Sequence, residues 1–176
     1  MWEERDRAIK DGEETLNNAV VAKYAADKDA RWGAKSKHNI WFGYKRHAAV
    51  DMRHGLIQKT ITTPANVPDY KALNVICPEE SMVFMDKLYD CREAYEVLMT
   101  RNCHAATIRK NNNKTKNHDL DRWRSSIRMP FEGTFSKLKK QARYRGILKV
   151  EFQNIFQSLC HNLKKAVRIL PTPITP

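Results

Sequence analysis

Leu148, Phe152, Ile155, Phe156, Leu159, Leu163, Ala166 and Leu170 recur at helical spacing until Pro171 stops them, which sets a long amphipathic helix near the C-terminal end. Upstream the period changes. IWFGYKRHAAVD (40–51) alternates, with Phe42, Tyr44, Ala48 and Val50 on one face, as a half-buried strand does. DMRHG turns the chain back into GLIQKTIT, so residues 40–62 read as a hairpin with Asp51 in its turn. PANVPD (64–69) is a proline-bounded loop, and Asp69 is placed to cap a short helix through Ile76. SMVFMD is a short apolar run, read as a central strand ending at Asp86.

Asp90 and Glu93 form a capping box ahead of an amphipathic helix to about Arg101. AATIR (105–109) reads as a further strand. KNNNKTKNHDLDRWR is too polar to bury and reads as a basic loop. Pro130 suits the first turn of a helix on which Phe131, Phe135, Leu138 and Ala142 share a face. Residues 1–39 are polar, with a short helix over roughly 2–10 and then an arm, and no apolar strand is legible ahead of Ile40. The order of hairpin, helix, strand, helix, strand, loop and two helices predicts a mixed α/β sheet. Its domain runs over residues 40–170, preceded by the polar helix and arm of 1–39 and followed by a tail at 171–176.

The 176 residues suffice for one domain with a core, and the net charge of +12 favours a polyanionic partner. That charge is uneven. Residues 101–128 hold eight bases and two acids, and residues 137–149 hold six bases and no acid, so the polyanion is expected at the C-terminal half. Cys77, Cys91, Cys103 and Cys160 show no CxxC spacing and read as reduced thiols of a cytoplasmic protein. Cys103-His104 and Cys160-His161 read as packing residues rather than zinc ligands. No signal peptide or membrane span is legible.

Chemistry concentrates in Asp86 and in Arg128, Glu132 and Lys139, the last three spaced R-x3-E-x6-K inside SSIRMPFEGTFSKLKK. A carboxylate after a buried strand and a second opening a basic helix are what a divalent metal at a phosphodiester needs. Taken singly, Asp86 also fits an ordinary strand-end acid and Glu132 a helix N-terminal acid favoured by the macrodipole. Arg143, Tyr144 and Arg145 suit phosphate contact and stacking, though Tyr144 fits a core-covering role equally. Lys45 and His47 lie on the hairpin face opposite Tyr44, where a solvated surface competes with contact to DNA.

FGYKRHAAVDMRHGLIQKTITTPANVPD, VFMDKLYD, KNN, RMPFEGTFSKLKKQARYRG and NLKK, in that order from about Asp29 to Lys165, resemble the catalytic domain of bacterial insertion-sequence transposases of the DDE type. The resemblance implies an RNase H-like mixed sheet flanked by helices. It also implies three carboxylates binding two divalent metals, Mg2+ or Mn2+, for cleavage and strand transfer at transposon ends. Asp86 matches the second carboxylate and Glu132 the third. Arg128 and Lys139 match residues holding transposon-end DNA, and Lys140, Arg143, Arg145, Lys45 and His47 extend the expected DNA surface. Ser125 stands where the family usually has Tyr, and Leu88 where it has Gly.

The family's first carboxylate lies on a strand ahead of the FGYK strand, and the chain is expected to lack both. Asp27, Asp29 and Asp51 are the nearby acids and are not favoured as replacements. The expectation is therefore a truncated transposase, inactive alone and of marginal stability. Its alternative is a non-catalytic DNA-binding or dominant-negative regulator that pairs with full-length transposase. Expected partners are transposon-end and target DNA and a second copy or full-length transposase, at the bacterial nucleoid, with no membrane.

Overall fold

The computed structural model describes residue 17 and residues 19–138 and 142–170. These contain helix α1 (Ala19–Tyr24), strands β1 (Arg31–Ser36), β2 (Asn39–Val50) and β3 (Ile57–Pro64), and helix α2 (Asp69–Ile76). Strand β4 (Met82–Met85), a 3-10 turn (Lys87–Tyr89), helix α3 (Arg92–Thr100), strand β5 (His104–Thr107), helix α4 (His118–Leu138) and helix α5 (Ile147–Ile169) follow. The fold is mixed α/β. Strands β1, β2 and β3 form one sheet in that order, and β4 and β5 form a parallel pair. The expected helix over 2–10 and the tail at 171–176 lie outside the described residues.

The described residues fall into two compact units. One is drawn from Met1–Arg46, Thr62–Val67 and Gln141–Asn154, the other from His47–Ile61, Pro68–Lys140 and Ile155–Pro176. In the first, Val21 and Trp32 are buried against Ile40 and Phe42, with the Trp32 and Phe42 rings 5.4 Å apart. The sequence showed no strand ahead of Ile40, yet β1 is there, antiparallel to β2 from Arg31↔Gly43 to Ser36↔Asn39. Within β1 only Trp32 and Gly33 are buried, so no apolar alternation marks it. Pairing with β2 and one aromatic contact hold it instead. Gly33 is required there, because a Cβ would stand 2.6 Å from the Ala65 carbonyl oxygen. Asn154 Nδ2 donates to Thr62 Oγ1 at 2.6 Å, a buried polar contact between α5 and β3.

In the second unit Leu73, Ile76, Cys77, Met85, Ala94 and Leu98 make the core. The hairpin turn is as the sequence indicates: the Asp51 carboxylate accepts from the Arg53 and His54 amides, and Gly55 takes φ +69°. Helix α2 ends at Ile76 as expected, but Pro68 is its cap residue and Asp69 lies in its first turn. Helix α3 starts from Cys91 without a side-chain cap, so Asp90 and Glu93 do not act as a capping box.

Helix α4 begins twelve residues ahead of Pro130, which lies inside it. Asn117 supplies the missed start signal, its Oδ1 accepting from the Asp119 and Leu120 amides. The first turns of α4 pack through Trp123, whose ring lies 5.8 Å from that of Phe84.

The apolar stripe of α5 is not its inward face. Phe156, Leu159, Leu163 and Leu170 are exposed, whereas Ser158 is buried. Asn162 explains the inversion. Its Oδ1 accepts from the Ile57 amide and its Nδ2 donates to the Ile57 carbonyl, each at 2.8 Å. Strand β3 is the edge of its sheet, and this one side chain pairs with the backbone of its first residue, Ile57, as a residue of a further strand would. Asn162→Ala should therefore lower stability by about 1–3 kcal/mol in urea unfolding, since it strands a backbone donor and acceptor.

Candidate functional site

Strand β4 ends at buried Met85, and Asp86 continues it in extended conformation. Asp86 Oδ1 accepts from the Lys87 amide at 2.5 Å, which opens the 3-10 turn. Helix α4 crosses both parallel strands, and Arg124 Nη1 donates to the Thr107 carbonyl at 2.9 Å while pairing with Asp121. One turn further along α4, Arg128 is set beside Asp86, with Glu132 a turn beyond it.

Arg128 joins the two acids. Its Nη2 lies 3.9 Å from Asp86 Oδ2 and its Nη1 lies 3.9 Å from Glu132 Oε1. Both distances are too long for hydrogen bonds, so the guanidinium balances the carboxylates without occupying their lone pairs. The Arg128 side chain is 24% exposed, against 40% for Asp86 and 62% for Glu132, so the acids present oxygen to solvent over a half-buried cation. The sequence places these three residues 46 positions apart at the extremes, and the fold brings them together.

Sequence reasoning missed Tyr89. Burial pushes its phenol above the ordinary range, the negative charges of Asp69 and Asp86 push it further, and Arg128 opposes. It is therefore a neutral hydroxyl under the influence of these charges.

Asp90 is also misread by its spacing to Glu93. The carboxylate is buried and accepts four hydrogen bonds, from Tyr95 Oη (2.8 Å), Arg109 Nη1 (3.1 Å), the Lys110 amide (2.8 Å) and Asn113 Nδ2 (3.0 Å). Burial alone would raise its pKa. The bond from the Lys110 amide and those from Asn113, Tyr95 and Arg109 outweigh it and hold the group at about 2. Asp121 takes the neighbouring Arg109 amide at 3.3 Å.

The remaining candidates are spread out. His47 is buried, which withdraws it from the surface set expected to meet DNA. Lys45 belongs to the other unit, where its Nζ donates to the Val67 carbonyl at 3.0 Å. Arg143 and Arg145 are exposed in that unit, beyond the Arg143 amide donating to Gln153 Oε1. Lys139 and Lys140 lie outside the described residues.

Asp27 accepts from Tyr44 Oη and the Gly146 amide, and Asp29 from the Ile147 amide at the start of α5. Both acids thus have structural partners, as Asp51 does. The four described cysteines are free. Among the described residues no group of three or more His, Cys, Asp or Glu side chains is arranged to hold a metal ion, and no helix is long and apolar enough to cross a membrane.

The profile of the transposase DDE domain family matches residues 11–163. The chain belongs to the transposase DDE domain family. The match begins within the stretch expected as an arm, in keeping with the strand β1 found there. No solved structure matches the chain. Membership implies DNA binding and transposition-related cleavage, chemistry for which DDE transposases use divalent metal.

The transposase domain's Asp90 gives a pH signature. A carboxylate held below its unfolded value contributes stability above about pH 3.8, which is lost as pH falls through about 2. Asp90→Asn should flatten the loss of stability over that acid window while lowering stability at pH 7, as read by urea melts at each pH.

Proposed function

We propose that Asp86 and Glu132 hold a divalent cation, Mg2+ or Mn2+, against a DNA phosphodiester, and that the chain is the catalytic part of a bacterial insertion-sequence transposase with an RNase H-like sheet. The observation that carries this is the single Arg128 guanidinium set 3.9 Å from both carboxylates. The donor chemistry fits: hard carboxylate oxygens on two partly exposed side chains suit a hard cation. A bound cation supplies Lewis-acid polarisation of the phosphoryl oxygen and eases deprotonation of an attacking water or 3′-hydroxyl.

The chain's own groups do the positioning. Asp86 is fixed by the Lys87 amide at the end of a packed strand, so Oδ2 has a defined direction. Glu132 extends from α4 with more freedom. Arg128 meets the negative charge of the phosphodiester oxygens, which suits positioning and electrostatic stabilisation of in-line displacement. Lys139, Lys140, Arg143, Arg145 and Lys45 are proposed contacts to transposon-end or target DNA; the burial of His47 removes it from that set. A cytoplasmic, nucleoid-associated homodimer completes this reading.

A second reading draws on the same donors. Among the described residues two carboxylates, rather than the three that the resemblance calls for, meet at Arg128, which suits a DNA-binding regulator that pairs with full-length transposase. Calorimetric titration with Mn2+ separates the readings. Asp86→Asn and Glu132→Gln should each weaken cation binding by about 10-fold or more with the thermal melt preserved. Unchanged binding in both variants would mean that the carboxylates are structural. Binding without nicking of a transposon-end duplex would favour the regulator.

A further inference from the structure

Strands β4 and β5 run parallel and in register, Met85 opposite Thr107, so the chain leaves both at the same edge of the pair. Asp86 stands at that edge on one strand. From the other, the chain enters residues 110–117, KNNNKTKN, and ends this loop at Asn117, the cap of the helix that carries Arg128 and Glu132. The loop thus joins the strand paired with β4 to the helix that supplies Glu132. Crevices at the carboxyl ends of parallel strands are where open α/β sheets receive ligands.

The loop is composed of three lysines, four asparagines and a threonine, with no acid and no aromatic side chain. Such a segment alone would fluctuate in water. Here it is pinned, because the buried Asp90 carboxylate takes the Lys110 amide and the Asn113 side chain. Asn113 Oδ1 in turn accepts from the Thr115 amide and hydroxyl, and the Asn113 and Lys116 amides close successive turns on Lys110 and Asn113.

The cations are not neutralised by this order. Among the described residues no carboxylate pairs with Lys110, Lys114 or Lys116, and the Lys116 ammonium donates to the neutral Asn111 amide at 2.6 Å. Asn111, Asn112, Lys114, Thr115 and Asn117 are exposed.

We infer that residues 110–117 are a preformed cradle for the sugar-phosphate backbone of duplex DNA, laid beside the carboxylate pair and read without regard to base sequence. This rests on the reading of Asp86 and Glu132 as a phosphodiester site. Ammonium and amide donors are the groups that contact phosphate oxygens, and the loop carries nothing suited to stacking on bases. Order imposed by Asp90 before binding removes the cost of fixing the loop on contact. Lys114 and Lys116 supply the charge and Asp90 is a positioning residue.

The test is the salt dependence of binding to a duplex of random sequence, measured with the full chain, the Lys114→Gln/Lys116→Gln double variant and the Lys114→Arg/Lys116→Arg control. The glutamine variant should lose about 1.8 from the slope of log affinity against log salt, about 0.9 for each phosphate contact removed, and the arginine variant should keep the slope. Wild-type binding with an unchanged slope in the glutamine variant overturns the cradle while leaving the carboxylate site standing. Failure of the wild-type chain to bind duplex DNA even at low salt overturns both.

Discussion

The parallel pairing of β4 with β5 is the constraint from which the site follows. Two parallel neighbours cannot be joined by a tight turn, so the chain must cross back, and α3 is that crossover. Parallel direction also brings the ends of both strands to one edge. There the first strand delivers Asp86, and the second delivers the loop leading into α4. Phe84 on β4 and Thr107 on β5 then give α4 its seat, through Trp123 and Arg124. The position of Arg128 against Asp86 is a consequence of that seat.

Polar side chains do much of the specifying in this molecule. Buried Asp90 gathers a loop of net positive charge, half-buried Asn162 pairs with the Ile57 backbone at the start of β3, and exposed Asp29 caps α5 through the Ile147 amide. Each gives a protein partner to backbone groups that the helices and strands leave without one. The stripe of leucines and phenylalanines on α5 faces outward in the same structure. Hydrophobic period tells where a helix is, but the face it buries is decided by what its neighbours need, and here β3 needs hydrogen bonds.

Much of the element order was legible because it rests on local signals. Alternation marked β2, the turn at DMRHG returned the chain into β3, and a short apolar run ended by an acid marked β4 and Asp86. Strand β1 escaped because its stability comes from its partner rather than from its own apolar content. The start of α4 escaped because Pro130 is a strong breaker and overshadowed the weaker cap at Asn117. Asp90 was read as a local cap when three of its four partners lie 19 to 23 positions along the chain.

The sequence by itself determined the chemistry available: hard carboxylates at Asp86 and Glu132, a cation at Arg128, and a basic C-terminal half suited to DNA. These are properties of side chains and survive any fold. Only the tertiary structure decided that the two acids share one guanidinium, that His47 is buried, and that the lysine-rich loop is held in one shape. The reason is that each of these depends on contacts between residues distant in sequence, made by packing and by hydrogen bonds to backbone, and such contacts leave no periodic trace along the chain.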